Sequence, residues 1–467
     1  MDTSRIRIPN TYVIIFSLLI LVAVSTWIIP GGQFDRVEID GKERIIPGTF
    51  KTVENQPQGI MQILSAPIRG FVDVADIIVF VLFVGGAFSV LQRTDAINAI
   101  IRKLASAHKK SKIIRSLLIP LFMVLFSLGG AVFGMAEETI PFVLIFVPLS
   151  MALGYDSIVG AAIPFVGSGA GFAGAFINPF TLGIAQGIAG LPLLSGMEYR
   201  IIVWFVTTTV AILFVTLYAA KIRKKPEKSP VFEIDKKVKE EILAKFNSSD
   251  VDGKITLRQR WALVAFGVAM VLLVYGVLIW HWYIIEIAAL FFGMGIVVGI
   301  IGGLKPDDIT GGFEQGAKDL VGTAVIIGLA RGIKIIAEDG LVIDRMLNGM
   351  AHLIDGLHPV VSAQFMFIFQ SFLNFFIPSG SGQAALTMPI MAPLADLVGV
   401  ARQTAVLAYQ FGDGFTNLII PTSAVTMGIL SLAKIPWEKW AKWIFPLILI
   451  LSLTGMILLI PPFFFTW

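Results

Sequence analysis

Apolar runs about as long as a bilayer is thick recur along this chain, and nothing else in it constrains the fold as strongly. Residues 11–29, 75–91, 199–220, 261–280, 284–301, 320–337 and 440–460 each approach the ~20 residues that an α-helix needs to cross a hydrocarbon core. The runs are continuous and not alternating, which excludes a transmembrane β-barrel. Hydrophobic residues make up 56% of the 467 and charged ones 15%, against ~25% charged in soluble domains. The chain therefore reads as an all-α polytopic membrane protein.

Two polar knots interrupt this pattern. Residues 376–389 read F-I-P-S-G-S-G-Q-A-A-L-T-M-P, between apolar segments 359–376 and 384–398 that are each too short to cross. Two half-helices meeting at a polar tip fit better. Such a re-entrant hairpin is tolerated at membrane depth only where its irregular backbone is buried in protein or lines a watery cavity, because bare N–H and C=O groups are costly in lipid. Residues 116–153 repeat the form, with G-G-A-V-F-G-M-A-E-E-T at 129–139 between two apolar arms. A shift of 245 positions lays Pro148-Leu149 on Pro393-Leu394, Gly154 on Gly399, Gly167 on Gly412, Gly169 on Gly414, and Thr181, Gly183 and Ile184 on Thr426, Gly428 and Ile429. A hairpin and the helix after it are duplicated. Each following helix is interrupted, 157–191 at V-G-S-G-A-G-F-A-G (166–174) and Asn178-Pro179, and 405–432 at F-G-D-G-F-T-N-L-I-I-P-T-S (411–423).

Loop charge gives the orientation. Residues 93–115 carry seven Lys and Arg against Asp95, and the linker 221–260 is rich in Lys and Glu with basic ends. The positive-inside rule puts both in the cytoplasm, along with the N-terminus, and the C-terminus outside. Residues 33–58 and the amphipathic connector 338–358 are then external, and 60–72 form an amphipathic piece along the bilayer surface. The first run is long and lacks a small-residue cleavage site, unlike a removable signal peptide. Three parts follow. Residues 1–220 form a first repeat with hairpin 116–153 and broken helix 157–191, 221–260 a cytoplasmic linker, and 261–467 connecting helices with hairpin 359–398, broken helix 405–432 and helix 440–460. Counting crossings, the two halves are inverted relative to each other. Inverted repeats, discontinuous helices and midplane polar tips together make up the architecture of secondary transporters.

The motifs G-M-A-E-E-T (134–139), A-F-I-N-P-F (175–180), P-S-G-S-G-Q (378–383) and G-D-G-F-T-N (412–417) resemble the YfcC-type branch of the anaerobic C4-dicarboxylate carrier family, within a superfamily that includes the divalent-anion/sodium symporters. The resemblance covers nearly the whole chain. It implies a bacterial inner-membrane carrier, usually a homodimer, whose hairpins and broken helices move as an elevator against a fixed scaffold. The better-known symporters hold the substrate carboxylate with a Ser-Asn-Thr motif at each tip. Here the tips instead read Glu137-Glu138-Thr139 and Ser379-Gly380-Ser381-Gly382, and some members of this branch are regarded as basic amino-acid exchangers.

An intramembrane carboxylate is costly unless paired or solvated, so Glu137 and Glu138 are candidates for a cation site, a proton carrier or a counter-charge to a cationic substrate. A structural pair with Arg331 or Lys334 is the plain alternative, although those two are also placed to pair with Glu338 and Asp339. Asp413, with Thr416 and Asn417, offers hard oxygens to an ion such as sodium, or Asp413 caps the second half-helix. Ser168 and Asn178 are the counterparts in the first repeat. Ser379, Ser381 and Gln383, with Gly380 and Gly382, present donors to a carboxylate at a half-helix N-terminus, or they are small-residue packing. Thr139, Asn178 and Thr422 complete the substrate set. No cofactor is expected beyond a coupling Na+ or H+.

The four histidines lie outside the apolar runs and there is no cysteine, so neither the G-S-G at 167–169 nor the S-G-S-G at 379–382 has a base, and hydrolase chemistry is not expected. The excess of basic residues over acidic ones, +4 in net charge, sits beside helices and does not point to nucleic acid. A passive channel would not need paired hairpins. The expected function is secondary transport of a small carboxylate-containing metabolite, a basic amino acid such as arginine or ornithine, with an ion-coupled C4-dicarboxylate carrier as the alternative.

Overall fold

The structure is a computed structural model that describes residues 11–39, 42–46, 48–99, 101, 103, 111–236, 255–280, 282–354, 356–465 and 467. The middle of the linker, 237–254, and much of the basic connector, as well as His108 and His281, lie outside the described residues. The protein is mostly helical, and among the described residues seven helices are long and apolar enough to cross a membrane. One of them is the first arm of the first hairpin, Lys112–Phe133, which is longer than the half-span expected.

Both hairpins are present. Lys112–Phe133 is followed by a 3₁₀ turn Glu137–Phe142 and the short helix Val143–Ala152, and Pro359–Asn374 by Gly380–Leu397. Each second arm ends in a glycine with positive φ, Gly154 at +87° and Gly399 at +72°, the left-handed conformation that only glycine adopts without strain. These two glycines are one of the pairs matched by the 245-position shift.

The breaks fall later than the sequence suggested. Ser157–Ala173 stays helical through its glycines, and the break is 174–178, before a π-helical turn Pro179–Gly183 and Ile184–Ile188. Arg402–Thr416 likewise keeps Asp413 inside its last turns, and 417–423 unwinds before Ala424–Leu432. The glycines are there for close approach. A methyl group on Gly171 would lie 1.9 Å from Ser127 O, and one on Gly130 2.1 Å from Ser168 O, so helices Lys112–Phe133 and Ser157–Ala173 touch backbone to backbone. Intramembrane packing outweighs helix propensity here.

The all-α expectation also needs a correction. Residues 31–53 form two antiparallel ribbons, Gly31–Gln33 with Lys51–Val53 and Arg36–Ile39 with Lys42–Ile45. Strands this short are not stable alone. They are held by helix Val342–Ile354, where the Asp344 carboxylate accepts the Phe34 N–H at 2.9 Å and pairs with Arg36 at 2.9 Å. Outside any span, burial still pushes the Asp344 carboxyl above its usual range, against these two partners.

Packing separates two groups of helices. Pro306–Asp339 packs on Thr11–Ile28, Ile60–Asp73 and Ala75–Arg93, and Ile284–Gly302 on Ala75–Arg93 and Leu257–Trp280. Ile60–Asp73 has the expected length, and it turns Ala66 and Gly70 onto Gly328 and Gly332. In the other group the two hairpins pack on their broken helices, Ser157–Ala173 on Arg402–Thr416, and Met197–Lys224 on Ser157–Ala173 and Trp437–Leu458. The main seam between the groups is Pro306–Asp339 against Ala424–Leu432.

Candidate substrate site

At this seam the two hairpin tips face one cavity of about 270 Å³. Glu137, Glu138, Thr139 and Ser168 line it from the first hairpin and the broken helix after it, and Ser379, Gly380, Ser381, Asn417 and Thr422 from the second hairpin and its broken helix. Asp413, Thr416, Asn178, Gly382 and Gln383 are not among its walls.

The first tip is shaped by its own backbone. Gly134 turns at φ +73° with the Asn178 side chain against it, and the Glu138 carboxylate accepts the Ala136 N–H at 3.0 Å while the Thr139 hydroxyl donates to Ala136 O. Ser168 donates to Met135 O, tying the first broken helix to this tip. Neither glutamate is paired with Arg331 or Lys334. Arg331 pairs with Asp73, Lys334 with Glu338 and Asp339 with Arg69, so of the pairs foreseen from sequence only Lys334–Glu338 formed.

At the second tip Ser379 caps helix Gly380–Leu397, its hydroxyl oxygen accepting the Gly382 N–H at 3.3 Å, and the Tyr409 hydroxyl donates to Gly380 O. Gln383 turns inward. It is fully buried and donates to the Gln370 side-chain oxygen at 2.6 Å, while Gln370 donates to Thr387 at 2.9 Å. These amides clamp the arms together. Gly382 faces a separate polar cavity of about 560 Å³, shared with Arg331 and Ser379.

Three of the four residues proposed for a cation come together. The Asn417 amide donates to Asp413 Oδ1 at 2.9 Å, and Asn374, from the hairpin arm, donates to Asp413 O at 3.1 Å and to the Thr416 hydroxyl at 2.7 Å. Asp413 Oδ2, Asn417 Oδ1 and Asn374 Oδ1 are buried without a hydrogen-bond partner. A carboxylate and two amide oxygens left unpaired suit a hard monovalent cation or a proton, which would offset the cost of burying the charge. Asp413 does not cap the second half-helix. That is done by Ser423, which accepts the Thr426 N–H, and in the first broken helix by Asn178, which accepts from Phe180 and Thr181.

Sequence reasoning missed Gln370, Asn374, Tyr409 and Gln410, the last of which donates to Phe172 O at 2.7 Å and so joins the two broken helices. Their signal was a polar residue every fourth position, 370 and 374, in an arm read as uniformly apolar. Asp73, Asp76, Trp282 and Tyr283, which complete the cavity from the other group of helices, were also missed.

A family model described as "C4-dicarboxylate anaerobic carrier" matches residues 8–463. The chain belongs to the C4-dicarboxylate anaerobic carrier family. This makes it a multi-pass membrane transporter. It is similar to a protein of Escherichia coli K12 named "Putative basic amino acid antiporter YfcC", 38% identical over 94% of this chain and 93% of that protein. An uncharacterised protein of Haemophilus influenzae is 30% identical over 98% of each. Among solved structures, the Alcanivorax borkumensis YdaH transporter aligns over 98% of this chain and 99% of that one, at 16% identity and a TM-score of 0.45. Neisseria gonorrhoeae MtrF, from a report on antimetabolite efflux pumps, aligns over 97% and 95%, at 18% and 0.44. Likeness of that degree leaves the family member's architecture to be argued from its own helices.

Proposed function

We propose that this family member is a secondary active transporter that carries a basic amino acid of the arginine or ornithine type by an elevator mechanism, by exchange or coupled to Na+ or H+. The observation that carries the substrate class is the single cavity between unlike tips. Glu137 and Glu138 line it from the first tip, and Ser379 and Ser381 with the N-terminus of Gly380–Leu397 from the second. A zwitterion with a cationic side chain complements both tips, its carboxylate at the helix N-terminus and its cation at the glutamates. Asp413, Asn417, Asn374 and Thr416 would hold the coupling ion.

Inverted repeats are supported by one contact. Gly169 packs on Leu418, and Gly414 on Ala173. The 245-position shift carries 169 to 414 and 173 to 418, so the contact maps onto itself with the partners exchanged, as a two-fold axis requires. The elevator is supported by the two groups of helices, which meet along few elements and differ in composition, one holding every hairpin and break. Assembly as a homodimer in a bacterial inner membrane, with the N-terminus cytoplasmic and the C-terminus external, belongs to the same proposal.

A C4-dicarboxylate is the second reading. It is favoured by the family description and by Arg331, which also lines the cavity. Counterflow in proteoliposomes with labelled arginine, ornithine, succinate and fumarate, with and without a sodium gradient, decides. Uptake of succinate or fumarate without any basic amino acid would replace the first reading with the second.

A further inference from the structure

Asp76, Trp282 and Tyr283 line the cavity from the group of helices that includes Pro306–Asp339, not from the hairpins. Asp76 is the second residue of helix Ala75–Arg93, whose N-terminal end packs against the first-tip turn Glu137–Phe142. Its Oδ1 accepts the Ile77 N–H at 2.8 Å, and among the described residues no cation pairs with it, whereas Asp73 is already neutralised by Arg331. Trp282 and Tyr283 join Leu257–Trp280 to Ile284–Gly302 and line the same cavity, with the Tyr283 ring 5.9 Å from Phe180 of the first broken helix. A carboxylate beside aromatic faces is the surrounding that a guanidinium or ammonium prefers.

The side on which these residues lie follows from the same helices. At their opposite ends Gly302 meets Thr94 and Gly303 meets Arg258, so that end carries Arg93, Arg258 and Arg260 and is the cytoplasmic one. Asp76, Trp282 and Tyr283 are therefore at the outer end.

Building on the basic amino-acid reading, we propose that Asp76, with the rings of Trp282 and Tyr283, is a specificity determinant that the fixed body supplies to the substrate's cationic group. The substrate is then held by both bodies when the cavity opens outward, and by Glu137 and Glu138 alone once the hairpins have carried it inward. The two faces of the membrane consequently see different sites.

The test is initial-rate uptake of labelled arginine by the full chain in right-side-out and in inside-out vesicles. Asp76→Asn keeps the Ile77 cap acceptor and removes the charge. The external KM should rise about ten-fold, equivalent to about 1.4 kcal/mol, with the internal KM unchanged. Asp76→Glu should restore most of the external affinity, and Glu137→Gln should weaken both faces. The internal-face rate of the same preparation reports on folding. Equal changes at both faces, or none at the outer face, overturn the proposal while leaving the transport reading intact. A parent protein that carries no basic amino acid from either face overturns both.

Discussion

The charge of Glu137 and Glu138 offers a test between substrate classes. With an effective dielectric of ~20, each like-charge contact at ~4 Å costs ~4 kcal/mol, so two glutamates without a salt-bridge partner among the described residues oppose a dicarboxylate and favour a cation. Replacing either by Gln should weaken arginine or ornithine transport at least ten-fold in kcat/KM and leave a neutral analogue nearly unchanged, measured by uptake competition. Succinate carried better by the Gln variants would reverse the assignment. Asp413 is a separate matter. Asp413→Asn keeps the Asn417 contact and removes the charge facing Oδ2, so half-saturation by the coupling ion should shift upward while the thermal midpoint of the purified protein stays in place or rises. Sodium-independent transport in the parent would leave a proton on Asp413 as the alternative. The sequence brought Asp413, Thr416 and Asn417 together because they are neighbours along one helix. Asn374 was hidden because its contact with them spans a hairpin.

Glycines set the spacing at the element scale. A side chain at Gly171 would press on the Ser127 carbonyl, and backbone cannot move aside as a side-chain tip can, whereas nothing lies within 4 Å of a methyl group at Gly187. Gly171→Val should lower the thermal stability of the purified protein by more than the ~1–3 kcal/mol usual for overpacking, while Gly187→Ala should be neutral or stabilising. The amide clamp between the arms makes a second comparison. Gln383→Leu strands the Gln370 side chain and should cost ~1–3 kcal/mol of stability, with KM for the substrate little changed if Gln383 is a clamp and raised if it reaches the substrate. Glycine-rich stretches look like helix breaks in sequence. In an intramembrane bundle they are as often the surface on which another helix lies, and only the neighbour tells the two apart.

For the whole molecule, the basic ends of the helices and the two unlike groups of elements define a testable arrangement. The chain has no cysteine, so single cysteines report without background. One at Lys228, in the short turn after Met197–Lys224, should react with an impermeant thiol reagent only from the cytoplasm, and one at Asn348, in Val342–Ile354, only from outside. Labelling of both from one side would remove the inverted arrangement.

The run lengths, the hairpins, the later helices and the loop-charge pattern were legible because each is written in consecutive residues, where lipid demands unbroken apolar length and self-satisfied backbone. The positive-φ turns at Gly154 and Gly399 were legible too, since a left-handed turn admits little but glycine. What only the tertiary structure decided lies between distant segments. It closed the ribbons of residues 31–53 onto Asp344, moved both breaks toward the C-terminal ends of their helices, turned Gln383 away from the cavity, and brought Asp76, Trp282 and Tyr283 to face Glu137. No local pattern encodes those contacts, because a side chain's partner is chosen by the packing of helices that are far apart in sequence.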